Sequence, residues 1–103
     1  MPPAATEKHL SVLGNPEAMV AALAWYRARG TVHRAIGPVR VPTLFIWGDA
    51  DDTVGRVAAE GTADFVQASY RFEALPGVGH HPPDQVPQRV TALLLDHLAA
   101  HPL

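Results

Sequence analysis

Residues 41 to 52 read VPTLFIWGDADD, and within them Leu44, Phe45, Ile46 and Trp47 follow one another with no polar residue between. A strand with one face in water alternates apolar and polar side chains. A strand without alternation is covered on both faces, as interior strands of parallel sheets are. What flanks this run supports a parallel sheet. The acidic turn GDADDT leads into VGRVAAEGTADFV, where Val54, Val57, Ala58, Gly61 and Phe65 recur near a helical period, with Gly61 weakening the helix. YRFEAL, residues 70 to 75, then alternates in the manner of a short strand and is stopped by Pro76 and Gly77. From about Val86, with Pro87 at a tolerated early position, Val90, Leu93, Leu94, His97 and Leu98 lay an apolar stripe along a terminal helix.

Upstream, NPEAMVAALAWYRARG carries a full set of helix signals: Asn15 as N-cap, Pro16 at the first helical position, Glu17 in the first turn, Arg27 and Arg29 in the last, and Gly30 as the stop. Met19, Ala22, Leu23 and Tyr26 share its apolar side. Thr31 to Val41 is an irregular connection, and MPPAATEKH, with no apolar period, is expected to be a mobile lead-in. The expected organisation is therefore a mobile segment over 1–14, a helix and connection over 15–40, and an α/β unit over 41–103. The alternation of helix and strand implies a parallel sheet with helices packed on it. Only two strands are available, and a two-stranded sheet with open edges is marginal in water. The missing strands are expected on another polypeptide or in the rest of a longer gene product.

Composition removes several function classes. With 48% apolar and 17% charged residues the chain is ordinary for a packed domain. A net charge of −2 without a basic cluster gives nucleic acid and anionic membranes nothing to bind. The absence of cysteine excludes disulfides, thiolate metal sites and a cysteine nucleophile. The longest apolar run, Ala18 to Tyr26, falls well short of the roughly 20 residues of a membrane span, and no basic-then-apolar leader opens the chain. A cytoplasmic location is expected.

Ligands of open parallel sheets gather at the carboxyl ends of the strands, and both GDADD and LPGVGHH leave a strand at that end. Asp51 and His80 are the natural pair: a carboxylate can hold an imidazole in one tautomer while the imidazole takes a proton from a nucleophile or from water. Asp49 and Asp52 compete for the acid role. Acidic residues after a strand also serve as turn formers or caps, and Asp52 or Thr53 could cap the next helix. A calcium loop through Asp49, Asp51, Thr53 and Glu60 lacks its sixth-position glycine, which is Val54. A zinc site from His80, His81 and Asp84 would need adjacent histidines to converge on one ion and has no fourth ligand. No metal and no cofactor are expected.

Taken in order, VPTLFIWGDADD and YRFEALPGVGHHPPDQVPQRVTALLLDHL resemble the carboxyl-terminal part of an α/β-hydrolase. In that family an apolar strand ends in Gly-x-x-Asp, where the Asp is the triad acid. A later strand ends in a Gly-His turn bearing the triad base, and a terminal helix follows. The resemblance covers Val41 to Leu98 and puts the acid at Asp51, the third residue after Gly48, and the base at His80, directly after Gly79. His81 stands where relatives often carry an aromatic ring and is expected to pack or rim the site. AALAWYRA resembles the last lid segment of soluble epoxide hydrolases, which implies that Tyr26 donates a hydrogen bond to the opening epoxide. Ala24 departs from the Asn often found there, and a structural tyrosine fits equally well. The implied reaction is cofactor-free hydrolysis of a small apolar epoxide, ester or halide by a nucleophile-His-Asp triad. The nucleophile itself is missing: Ser11 and Ser69 lack the required flanking glycines, and neither Asp49 nor Asp51 has glycines at both second neighbours, so no Gly-x-Ser/Asp-x-Gly elbow is present. The alternative is a non-catalytic truncated product or split subunit that pairs through its strand edge.

Overall fold

The computed structural model describes residues 2–30 and 36–103, and the chain divides into two compact units, Met1–Ile36 and Gly37–Leu103. The connection expected from Thr31 lies outside the described residues over 31–35; from Ile36 to Pro42 the chain is irregular apart from one parallel bridge, Val39 to Val66.

The first unit holds two helices, α1 (Pro3–Leu13) and α2 (Pro16–Ala28). A lead-in was expected where α1 stands. The difference follows from intrinsic preference: Ala4, Ala5, Glu7, Lys8 and Leu10 are strong helix formers, and Pro3 sits at the first helical position, where its missing N–H costs nothing. The lack of an apolar period still tells, for α1 has no buried residue. In α2 the expected signals operate: the Asn15 side chain accepts from Ala18 N–H at 2.9 Å, and Gly30 takes φ +61° just past the end.

The second unit is built on two parallel strands, β1 (Thr43–Gly48) and β2 (Tyr70–Leu75), with Phe45 opposite Phe72 and Gly48 opposite Leu75. Between them run α3 (Arg56–Gly61) and a 3-10 turn, Thr62–Phe65. The helix stops being regular at Gly61, as its glycine suggested. Its buried side is not the expected one, however. Ala59 is buried, whereas Val57, Ala58 and Phe65 are exposed. After β2 come a short helix α4 (Pro82–Gln85) and the terminal helix α5 (Pro87–Ala100).

The unbroken apolar run of β1 is explained by its two faces, since successive side chains of a strand point to opposite sides. Leu44 and Ile46 pack with Leu75, Val78, Val86, Val90 and Leu93 in the core beneath α5. Phe45 and Trp47 point the other way and stack with Phe72, at ring separations of 5.6 and 6.1 Å. The Trp47 indole N–H donates to the Val54 carbonyl at 2.9 Å, and Arg56 lies over its ring. On α5 the expected stripe is only half used: Val90 and Leu93 are buried, Leu94 and Leu98 are exposed. Among the described residues Leu93 alone is a large side chain with no exposure at all. No helix among the described residues is long and apolar enough to cross a membrane.

Candidate functional site

Both strands end in turns that are fastened to each other. β1 ends in Gly48, whose backbone lies so close to the next turn that a Cβ there would overlap the carbonyl oxygens of Val78 and Gly79. Only glycine permits that approach. Asp49 N–H then donates to Leu75 O at 3.1 Å and Ala50 N–H to Val78 O at 3.0 Å. β2 ends in a tight turn over Leu75 to Val78, with Pro76 second and Gly77 third at φ +70°, the arrangement of a type II turn. Asp51 and His80 stand on these two turns, 29 residues apart in sequence.

The structure brings them into contact. His80 Nδ1–H donates to Asp51 Oδ2 at 2.9 Å and lies 3.1 Å from Oδ1. An ionised carboxylate can only accept, so the geometry requires a proton on Nδ1, and in the neutral ring the lone pair then falls on Nε2. Asp51 Oδ1 is also bound from behind, by Thr53 N–H at 2.7 Å and Val54 N–H at 3.0 Å. Desolvation works against the charged carboxylate, but the Val54 N–H, the His80 ring, the Thr53 N–H and the attraction of the ring's charge together outweigh it. They hold Asp51 at about 2, below the ordinary 3.8. The side chain of Asp51 is 5% exposed and that of His80 41%. The acid is thus enclosed while the imidazole edge stays open to a reactant.

The three aspartates take different parts. Asp51 binds the imidazole. Asp49 Oδ1 instead accepts Gly77 N–H at 2.7 Å, and Asp52 accepts the Thr53 hydroxyl at 3.4 Å. Neither Asp52 nor Thr53 caps α3, whose N-cap is Gly55. The His81 ring meets the His80 ring edge-on at 5.0 Å, so it packs beside that imidazole. Ser69 stands at the amino end of β2, a strand length of roughly 20 Å from the turn that carries His80. Tyr26 lies on α2 in the other compact unit and is 66% exposed. A residue that drew no attention in the sequence also serves the site. Gln85 Oε1 accepts Gly79 N–H at 2.7 Å and holds the turn from the α4 side. Pro82 at a first helical position was the available signal for α4, but nothing in the sequence links Gln85 to Gly79.

A mixed α/β unit with a carboxylate-held imidazole at the carboxyl ends of parallel strands can accept a proton at Nε2 and return it. The chain is similar to epoxide hydrolase A of Mycobacterium tuberculosis, 33% identical over 81 residues, which is 74% of this chain and 25% of that protein. It therefore spans about a quarter of the length of the curated relative it matches. No protein-family model matches the chain, and no solved structure does.

Proposed function

We propose that the chain is the carboxyl-terminal part of an α/β-hydrolase of the epoxide-hydrolase-like branch, carrying the acid and base of a nucleophile-His-Asp triad. The observation that carries this reading is the bond from His80 Nδ1–H to an ionised Asp51, which leaves Nε2 free to act as base. The similarity to an epoxide hydrolase supports the same branch. In the complete protein an aspartate or serine from outside this chain attacks the substrate. With an aspartate, the opening epoxide leaves an alkyl ester, and the Tyr26 hydroxyl donates a hydrogen bond to the developing alkoxide. His80 Nε2 then removes a proton from the water that cleaves the ester, Asp51 stabilises the imidazolium, and the imidazolium returns that proton to the alkoxide, leaving a diol and the free carboxylate. With a serine, Nε2 takes the hydroxyl proton directly. The substrate class is a small, largely apolar epoxide, ester or halide.

More chain is needed to close the fold. Among the described residues each strand has one unpaired edge, and the buried Tyr70 hydroxyl has no partner, an omission that costs about 1–3 kcal/mol unless another segment supplies one. Those edges also suit a second reading, a non-catalytic subunit that pairs with another chain. The deciding experiment is to read the coding sequence adjoining this one for a Gly-x-Ser/Asp-x-Gly elbow and to assay the joined product on small epoxides and esters. Lack of an elbow, or turnover untouched by His80→Ala, would sink the catalytic reading.

A further inference from the structure

Asp49 lies one residue past β1 and is exposed, yet its carboxylate reaches across to the second turn. The turn over Leu75 to Val78 closes on itself through Val78 N–H and Leu75 O, at 3.4 Å. In such a turn the N–H of the third residue points outward and has no use within the turn. Here that residue is Gly77, and Asp49 Oδ1 takes its N–H at 2.7 Å, a short, charge-assisted bond spanning 28 residues of sequence. Among the described residues Asp49 has no cationic partner, so its charge serves this contact alone. The strand ladder fixes Leu75, and Ala50 N–H fixes Val78 O; between them Gly77, in the left-handed region, is the flexible point. His80 follows three residues on. Asp49 and Asp51, two residues apart on one turn, thus grip the other turn at two places, the first at its backbone and the second at the imidazole.

We propose that Asp49 is a positioning residue, whose bond to Gly77 N–H holds the His80 turn at the distance that lets the imidazole meet Asp51. The inference rests on the Asp51–His80 pair of the proposed function, but it can fail separately. The test is ring-15N NMR of the full chain, with backbone amide spectra as a check on the fold. In the unsubstituted chain His80 shows a single tautomer with the proton on Nδ1. Asp49→Ala converts this to an average of the two tautomers and abolishes the slowly exchanging Nδ1 proton, while the amide signals of α5 stay in place. Asp49→Asn restores the fixed tautomer, since its amide oxygen still accepts from Gly77. A fixed tautomer in Asp49→Ala overturns this inference and leaves the catalytic reading standing. An Asn variant that behaves like the Ala variant, or loss of the α5 signals in Asp49→Ala, overturns it as well. An averaged tautomer in the unsubstituted chain overturns both.

Discussion

Replacing Asp51 by Asn changes one atom of the carboxyl group, and the structure specifies which of the two oxygens is lost. Oδ1 accepts both backbone donors, Thr53 N–H at 2.7 Å and Val54 N–H at 3.0 Å, while Oδ2 is the nearer to His80. The amide oxygen of the introduced asparagine keeps the two backbone bonds, so its NH2 group must face the imidazole. Two donors cannot share a bond. His80 therefore turns into the other tautomer, with Nδ1 accepting and the proton on Nε2, and Nε2 can no longer act as base. A wrong tautomer of this kind lowers turnover by about 10^4-fold where the same geometry serves a triad. Asp51→Asn in the completed enzyme should show a loss of that order with substrate binding little changed, measured as kcat and KM on a small epoxide. Ring-15N NMR should show the proton on Nε2 with the fold intact. A variant that keeps the proton on Nδ1, or retains more than about a tenth of its turnover, would refute the reasoning.

Other expectations concern the scaffold. Leu93→Ala truncates a large side chain that has no exposure and should cost roughly 2–5 kcal/mol, read as a lower denaturant midpoint for the unit. Gly48→Ala drives a methyl group into the carbonyl oxygens of Val78 and Gly79 and should cost about 1–3 kcal/mol. It should also break the Ala50–Val78 bond, seen as faster exchange of the Ala50 amide. Because folding lowers the Asp51 pKa from 3.8 to about 2, the unfolded chain binds the proton first as pH falls. The stabilisation it contributes is whole above about pH 4 and fades between about 4 and 2, and acid unfolding compared with that of Asp51→Asn measures it.

The sequence alone determined what depends on neighbours along the chain. The run Leu44 to Trp47 announced a strand covered on both sides, Asn15 and Gly30 marked the ends of α2, and the order of elements implied a parallel sheet. Asp51 and His80 could be paired because both leave a strand at its carboxyl end, a rule of topology that needs no coordinates. What the tertiary structure decided depends on distance across the fold. Asp49, Asp51 and Asp52 are alike in a string of letters, and only the spacing of the two turns gives one of them the imidazole, another the Gly77 amide and the third neither. Gln85 belongs to the site through a contact with Gly79 that no periodicity encodes. The lead-in became α1 through intrinsic propensity, without any packing to signal it. On α3 only Ala59 is buried, which the sequence did not specify because residue spacing records direction along a helix and not what lies opposite it.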